Sequence, residues 1–306
     1  MSPCKPCLEC LPDNILHIIF SLIEIEQLNI ARSICRRIHA GLSQKEFLEE
    51  RKYQETSQEI LVVVGGKQKK LGYPSRYGKK TNNKRMEIED NAHRIIGWVP
   101  SLYSWRRFGS HSFLDRVVDY QVVQVNTSML VFLGGSDKDY EGEAIDEVWA
   151  YSFATNEFEQ WPSMLRKRTK DSFQACAVGD CIVVTDIADN LRCDCISYTR
   201  SEHRGKQCDI YNMNSRMWTK ACVMPRLLDG AGAAVTHGRY MFLPRQETYS
   251  CRNCGSQCQE SMGGLAYDLL EDKWRIMPTH PVPGKSSSTV AFRDNIFVIG
   301  GVYNKD

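Results

Sequence analysis

Cysteine is the residue type best placed to do chemistry in this 306-residue sequence, because there are 13 of them. Cys251 and Cys254 are separated by two residues, which is the spacing of a zinc knuckle, and Cys193 and Cys195 are separated by one. Thiolates are preferred ligands of tetrahedral Zn²⁺. These four residues therefore define a hypothetical zinc site, with free thiols and disulfides as its alternatives. No other cofactor is expected.

Most of the other cysteines occur without a ligand pattern. Those in apolar contexts should act as small core residues, namely Cys35, Cys176, Cys181 and Cys222. We expect residues 1–10 to form a flexible tail. The apolar stretch 15–23 follows Asp13 rather than a basic cluster and precedes acidic residues, so it does not resemble a secretory signal. Reduced thiols in the cytoplasm and/or nucleus are therefore expected.

Catalytic motifs are absent from the sequence. There is no glycine-rich phosphate loop with Lys, no His-Glu-x-x-His helix and no nucleophile elbow. The net charge is +2, which makes nucleic-acid binding driven by global charge an unfavoured hypothesis. No stretch approaches the roughly 20 apolar residues of a membrane span. No enzymatic activity is therefore expected.

The elements that would position these residues repeat along the chain. Apolar strands that end in a Gly-Gly pair occur at 61–66, 130–135 and 297–301, and weaker copies without the glycines occur at 182–186 and 241–245. Turn-forming residues such as Asn126, Gly179 and Gly238 precede several of these strands, which predicts that each is the second strand, b, of an a–b hairpin.

A second marker is a pair of aromatic residues seven positions apart, and it also recurs. The four pairs are Trp98 and Trp105, Tyr151 and Phe158, Tyr211 and Trp218, and Tyr267 and Trp274. Turn residues lie between the two aromatics, so they predict strands c and d of a second hairpin. Four-stranded units repeated about a centre predict a β-propeller, with about four to five blades present.

The N-terminal residues 11–55 show helical rather than strand periodicity. Leu16, Ile19, Phe20 and Ile23 fall on one face of a first helix, for which Asp13 and Asn14 are the predicted cap. A second helix is predicted from about Glu26, with its apolar side formed by Leu28, Ala31, Ile34, Cys35 and Ile38. A short polar helix is predicted over 44–53.

Both parts resemble known families. The Gly-Gly doublets with the Tyr-x6-Trp spacing resemble kelch repeats, although Thr185-Asp186 and Pro244-Arg245 replace two doublets and Phe158 replaces one Trp. The Leu11-Pro12 opening, the apolar helix and the run 34–38 (Ile-Cys-Arg-Arg-Ile) resemble an F-box. The resemblance implies an α+β multidomain chain: a three-helix F-box-like domain over 11–55, followed by an all-β kelch propeller over 59–306.

What this resemblance implies is a substrate-recognition subunit of an SCF-type cullin-RING ubiquitin ligase. The F-box would dock on the Skp-type adaptor, which joins it to the cullin, and the propeller would bind an unidentified protein substrate. The residues carried over to the adaptor contact are Leu11, Pro12, Ile15, Leu16, Ile19, Leu28, Ile34, Cys35 and Ile38. A fragment of a BTB-type kelch adaptor and a non-ligase kelch scaffold or cytoskeletal binding protein are the alternatives.

The long b-to-c connections share one face of the predicted propeller, and this face is the expected substrate surface. Its basic residues are the candidate contacts: Lys67, Lys69, Lys70, Arg76, Lys79, Lys80, Arg192, Arg204 and Arg252. The basic run from 67 to 85 is more typical of a solvated, flexible loop, which is the favoured interpretation of this segment. The chain stops just after the fifth b strand, so a truncated ring and a small ring with an irregular seam are both open interpretations.

Overall fold

The computed structural model describes residues 11–23, 28, 31, 33–42, 44–54, 60–64, 94–100, 103–126, 128–138, 142–169, 172–187, 207–225, 233–244, 264–278, 288–293 and 295–299. The chain divides into two compact units. The first contains Met1–Arg116 and Tyr151–Phe158, and the second contains Val117–Ala150 and Glu159–Asp306.

Among the described residues near the N-terminus, three helices with complete bounds form a small module in the first unit. They are α1 (Asp13–Ser21), α2 (Arg36–Gly41) and α3 (Lys45–Tyr53). A further short helix, α4 (Ser112–Arg116), comes much later in the chain. No helix among the described residues is both long enough and apolar enough to cross a membrane.

The helical module has a core of its own, which we call the module core. Its buried members are Leu16, Phe20, Leu28, Ala31, Ile38, Leu42 and Phe47. Arg51 of α3 is also buried, and its Nη1 donates to the carbonyl oxygens of Ser21 (3.3 Å) and Ile23 (2.8 Å) just after α1. These bonds satisfy carbonyl groups that the end of a helix leaves unpaired. Burial lowers the pKa of the Arg51 guanidinium.

Two helix predictions were wrong in detail. The predicted second helix does not continue to Ile38, because Cys35 adopts an extended conformation (φ −159°, ψ 164°). The Cys35 Sγ accepts a hydrogen bond from the Ile38 amide at 3.5 Å, so Cys35 caps a new helix, α2. In α1, Asp13 is already helical and Pro12 is the N-cap residue without a side-chain bond.

The remaining described chain is built of antiparallel strands. In chain order they are β1 (Leu61–Val64), β2 (Arg94–Val99), β3 (Ser104–Ser110), β4 (Val117–Val118), β5 (Gln121–Asn126), β6 (Met129–Leu133), β7 (Ser136–Asp137), β8 (Glu143–Ala144), β9 (Val148–Ser152), β10 (Glu157–Trp161), β11 (Phe173–Val178), β12 (Cys181–Asp186), β13 (Cys208–Asn212), β14 (Met217–Lys220), β15 (Val235–His237), β16 (Tyr240–Leu243), β17 (Leu265–Asp268), β18 (Lys273–Ile276), β19 (Ser288–Phe292) and β20 (Asn295–Ile299).

Three sheets contain four strands each, which confirms the antiparallel four-stranded repeat predicted for this region. Their strand orders are β10-β9-β6-β5, β11-β12-β13-β14 and β15-β16-β17-β18. A three-stranded sheet β1-β2-β3 precedes them in the chain, and the hairpin β19-β20 follows them. The b-to-c connection between β6 and β9 contains two short strands, β7 and β8, which pair with β4 in a small separate sheet.

The aromatic pairs of the sequence lie opposite each other in the sheets. Trp98 pairs with Trp105, Tyr211 with Trp218 and Tyr267 with Trp274. The residue five positions after each first aromatic has a left-handed backbone, with φ between 47° and 58°. These residues are Tyr103, Asn156, Arg216 and Asp272. A left-handed residue therefore recurs at the same position of the c–d connection in these four copies.

Indole hydrogen bonds join consecutive sheets of the second unit. Trp218 Nε1 donates to the Pro162 carbonyl oxygen at 2.8 Å, and Trp274 Nε1 donates to the Cys222 carbonyl oxygen at 2.9 Å. Each acceptor follows the last strand of the preceding sheet. The ring of Trp161 also stacks on Tyr211, with centroids 5.2 Å apart. Aromatic residues thus provide both apolar area and a directional contact between sheets.

Candidate functional site

Four buried or partly buried charged residues form the most developed polar cluster among the described residues, and we call them the charged cluster. They are Arg166, Arg168, Asp186 and Asp209. The arginines lie between β10 and β11. Asp186 ends β12 and Asp209 lies at the start of β13, so the cluster joins two consecutive sheets.

The backbone of Arg168 is fixed by the sheet that precedes it. Its amide donates to the Ile145 carbonyl oxygen at 2.9 Å, and its carbonyl oxygen accepts from the Gly135 amide at 2.8 Å. Gly134 and Gly135 have φ values of 56° and 114°, and a Cβ atom on Gly134 would lie 2.5 Å from the Arg168 carbonyl oxygen. Gly134, the first glycine of the pair that marks this repeat, is therefore required for close approach of the Arg168 backbone.

The side chain of Arg168 reaches into the next sheet. Its Nε donates to Asp186 Oδ1 at 2.7 Å and its Nη2 donates to Asp209 Oδ2 at 2.6 Å. The side chain of Arg168 is 3% exposed and that of Asp209 is fully buried. Burial by itself lowers the pKa of Arg168, but the charges of Asp186 and Asp209 and the hydrogen bonds to them raise it above its ordinary value.

Arg166 forms the outer layer of the charged cluster. Its side chain is 29% exposed, and its Nη1 donates to Asp186 Oδ2 at 3.2 Å. Its Nη2 lies 3.5 Å from Asp209 Oδ1, but neither of these two buried atoms makes a hydrogen bond. Two positive and two negative groups balance, as buried charges require.

The charged cluster lies at the two ends of the b-to-c insertion, which is the connection between β12 and β13. Asp186 precedes the insertion and Asp209 follows it, and the Asp186 amide donates to the Gln207 carbonyl oxygen at 2.9 Å. By binding both aspartates, Arg168 holds the two ends of the insertion together. The four paired side chains therefore link the segment between β10 and β11 to the facing ends of β12 and β13.

The second candidate surface is the solvent side of α1. Leu16, His17, Phe20 and Ser21 are the buried residues of this helix. The opposite side is also apolar: Ile15, Ile18 and Ile19 are 38–39% exposed, and Leu22 directly after the helix is 64% exposed. We call these four residues the isoleucine face. Their spacing of three and four positions places them on one side of the helix.

The residues predicted to contact the adaptor divide into two groups. Leu16, Leu28 and Ile38 are buried in the module core, where they stabilise the helices and have almost no free surface. The other six are wholly or partly exposed: Leu11, Pro12, Ile15, Ile19, Ile34 and Cys35. Sequence periodicity did not separate these groups, because both faces of α1 are apolar. The predicted set also did not include Ile18 and Leu22, which share the exposed side of α1 with Ile15 and Ile19.

The predicted substrate and zinc residues lie outside the described residues. The substrate candidates are Lys67, Lys69, Lys70, Arg76, Lys79, Lys80, Arg192, Arg204 and Arg252, and the zinc candidates are Cys193, Cys195, Cys251 and Cys254. Both sets stay predictions. Among the residues that the structure describes, no group of three or more His, Cys, Asp or Glu side chains is arranged to hold a metal ion.

The described cysteines are all free thiols. Cys176 and Cys208 are buried, which agrees with the core role predicted for Cys176, whereas Cys35, Cys181 and Cys222 are partly exposed. Burial raises the pKa of Cys176 to about 12, against the lowering effect of a hydrogen bond with Thr236. Burial also raises the pKa of Cys208 well above its ordinary value.

The chain is 29% identical over 94 residues to the kelch-like protein terF of Aspergillus terreus, a match that covers 30% of this chain and 20% of that protein. This similarity and the repeated four-stranded sheets support a kelch-repeat protein. No protein-family model matches the chain.

The solved structure of the protein YjhT is also similar to this chain. It aligns with a TM-score of 0.49 and 13% sequence identity, over 68% of this chain and 66% of that chain.

The charged cluster was not predicted from the sequence. Its residues are up to 43 positions apart, from Arg166 to Asp209, and meet only when two sheets pack. One signal was present: Asp186 stands where other copies of the repeat have glycine, and a charged residue at the end of an apolar strand needs a partner if it is buried.

Proposed function

We propose that this protein is the substrate-recognition subunit of an SCF-type cullin-RING ubiquitin ligase. The helical module docks on a Skp-type adaptor, which joins the protein to a cullin, and the kelch-type sheets bind the protein that is to be modified. The isoleucine face of α1 is the observation that carries this proposal.

The isoleucine face is not needed to fold the module. Leu16, Phe20 and the rest of the module core are already buried on the other side of α1. The solvent side of a helix in a small domain is normally polar. Apolar residues clustered on a solvent-exposed side are instead typical of a surface that a protein partner covers. Docking on an adaptor explains why both sides of α1 are apolar.

The kelch-type part is proposed to supply the substrate surface. Similarity to a kelch-like protein favours a protein-binding role for the repeats. The charged cluster supports the same interpretation, because Arg168 fixes both ends of a b-to-c insertion that carries two of the candidate basic contacts, Arg192 and Arg204. In this proposal the protein is a non-catalytic adaptor of the cytoplasm and/or nucleus.

Affinity purification of the tagged full chain from cells tests the proposal. We expect a Skp-type adaptor and a cullin to be recovered with the wild-type chain. The double variant Ile15→Asp/Ile19→Asp places two charges on the isoleucine face without changing the module core, and it should lose both proteins. Leu270→Asp is the matched control, because Leu270 is an exposed apolar residue (73%) elsewhere in the chain.

The same experiment separates the alternatives. A cullin recovered without a Skp-type adaptor would favour the BTB-type kelch fragment. Recovery of neither protein would favour a non-ligase kelch scaffold or cytoskeletal binding protein. Equal recovery by the wild type and the double variant would contradict the role proposed for the isoleucine face.

A further inference from the structure

Arg37 of α2 is bonded to the chain at the start of α1. Its Nη2 donates to the Leu11 carbonyl oxygen at 2.7 Å and to Asp13 Oδ1 at 2.6 Å. Leu11 and Asp13 flank Pro12 at the start of α1, whereas Arg37 lies in the first turn of α2. One guanidinium group therefore holds a segment that is 24 to 26 residues away in the sequence.

The geometry around α2 explains how Arg37 is aimed at this segment. Cys35 caps the helix through its Sγ, and Ile38 is 1% exposed in the module core. Because Cys35 and Ile38 fix the first turn of α2 on either side of it, Arg37 has a defined direction, and its planar guanidinium group presents several donors in a fixed arrangement. Within this short run, Cys35 caps α2, Arg37 binds the start of α1, and Ile38 packs in the module core.

We propose that Arg37 is a positioning residue of the adaptor-docking surface. It holds Leu11, Pro12 and the first turn of α1 in the arrangement in which Pro12 and Ile15 face the adaptor. This inference rests on the proposed function, because it assigns the adaptor as the partner of that surface. Arg37 acts through the segment it holds, and its effect on binding is to reduce the conformational freedom lost when the adaptor docks.

A stabilising role alone would have a different signature. The side chains of Arg37 and Asp13 are 43% and 60% exposed, and ion pairs this exposed contribute little to the stability of the fold. We therefore expect Arg37→Ala to leave the midpoint of thermal unfolding within about 3 °C of the wild-type value. Its affinity for the adaptor should fall about five- to tenfold, because the docking segment is then no longer held in place.

The test uses the full-length purified chain and a purified Skp-type adaptor. Affinities are measured by calorimetry for the wild type, Arg37→Ala, Arg37→Lys and Arg36→Ala. Arg36 is the matched control, since it is an exposed arginine next to Arg37. We expect a wild-type affinity for Arg36→Ala and a partial recovery for Arg37→Lys, which keeps a charged donor but not the planar fork.

Amide hydrogen exchange provides a second test that does not depend on the adaptor. The amides of Ile15 and Leu16 donate to the Pro12 carbonyl oxygen, both at 3.1 Å, and they should exchange at least fivefold faster in Arg37→Ala than in Arg36→Ala. If the wild-type chain does not bind the adaptor, the proposed function fails. Unchanged amide exchange in Arg37→Ala would then also show that Arg37 does not hold the start of α1 in place. If the wild type binds, equal affinity of Arg37→Ala would overturn the positioning role alone.

Discussion

Arg168 Nη2 lies 2.6 Å from Asp209 Oδ2, and both side chains are removed from solvent. Arg168→Met keeps the apolar part of the side chain but leaves Asp209 buried without its main charge partner. We predict that this change lowers the free energy of unfolding by about 3–5 kcal/mol, measured by urea denaturation. The neighbouring Lys167 is 62% exposed, and its Nζ lies 4.0 Å from Glu143 Oε2. Lys167→Met should therefore change the free energy of unfolding by less than about 0.5 kcal/mol.

The pair can also be removed rather than broken. In Arg168→Met/Asp209→Leu, no carboxylate is left unpaired at position 209, and Arg166 still neutralises Asp186 at 3.2 Å. We expect the double variant to be more stable than Arg168→Met alone by about 1–3 kcal/mol, since an isolated buried charge costs more than an apolar replacement of the pair. Equal stability of the two variants would show that Asp209 does not depend on Arg168.

The tyrosines of the repeated c–d hairpins differ in the hydrogen bonds of their hydroxyl groups, so we expect Tyr→Phe substitutions to change stability by different amounts. Tyr151 Oη is 2.7 Å from Asn156 Oδ1 and Tyr267 Oη is 2.6 Å from Asp272 Oδ1, but the hydroxyl of Tyr211 has no hydrogen-bond partner among the described residues. Tyr151→Phe should therefore cost about 1 kcal/mol and Tyr267→Phe somewhat more, because its acceptor is a carboxylate. Tyr211→Phe should cost nothing or stabilise the fold.

Arg216 occupies the position that Asn156 and Asp272 hold in the other two hairpins. It has a φ of 55°, in the left-handed region that asparagine tolerates better than arginine. Arg216→Asn should supply a partner for the Tyr211 hydroxyl and raise the free energy of unfolding by about 0.5–1 kcal/mol. This gain allows for the loss of the exposed ion pair between Arg216 and Glu159. A loss of stability would mean that the Asn156 turn does not transfer to this hairpin.

Thiol reactivity should follow burial. The pKa of Cys176 is raised to about 12 by burial, so almost no thiolate forms there at pH 8, and Cys208 is buried in the same way. We predict that iodoacetamide labels Cys35 and Cys222 in the native protein but not Cys176 or Cys208. Peptide mass spectrometry provides the measurement, and labelling in urea is the control in which all four react. Native labelling of Cys176 at the rate of Cys222 would refute the prediction.

The same shift makes stability depend on alkaline pH. In the unfolded chain the Cys176 thiol has its ordinary pKa of 9.0, whereas burial in the folded chain raises this pKa to about 12. Above pH 9 the unfolded state therefore binds fewer protons than the folded state, and the contribution of Cys176 to stability is lost as pH rises toward 12. Relative to Cys176→Val, the wild type should lose up to about 1.4 kcal/mol per pH unit in this range. If the free energy of unfolding had the same pH dependence in the wild type and in Cys176→Val, this prediction would be contradicted.

The repeated sheets could be predicted from the sequence because their signals are local. The seven-residue aromatic spacing is set by one hairpin, and the structure places Tyr211 opposite Trp218 and Tyr267 opposite Trp274. The small sheet of β4, β7 and β8 has strands of only two residues, which are too short to show an alternating pattern.

Features that depend on contacts between distant residues were not predictable in this way. The break before α2 depends on the Cys35 cap, whose residue type also fits an apolar helix face. The division of α1 into a buried side and the isoleucine face depends on which side Phe47 of α3 and Ile38 of α2 cover. The Arg168 contacts with Asp186 and Asp209 likewise require two sheets to pack first.

The most direct test of the central proposal is the affinity of the purified chain for a purified Skp-type adaptor, measured by calorimetry. The account predicts a one-to-one complex with the wild type and with Leu270→Asp, and at least a hundredfold weaker binding by Ile15→Asp/Ile19→Asp, because two charges would be buried at the interface. Circular dichroism should show that the double variant keeps its fold. Absence of binding by the wild type, or equal binding by the folded double variant, would contradict the account.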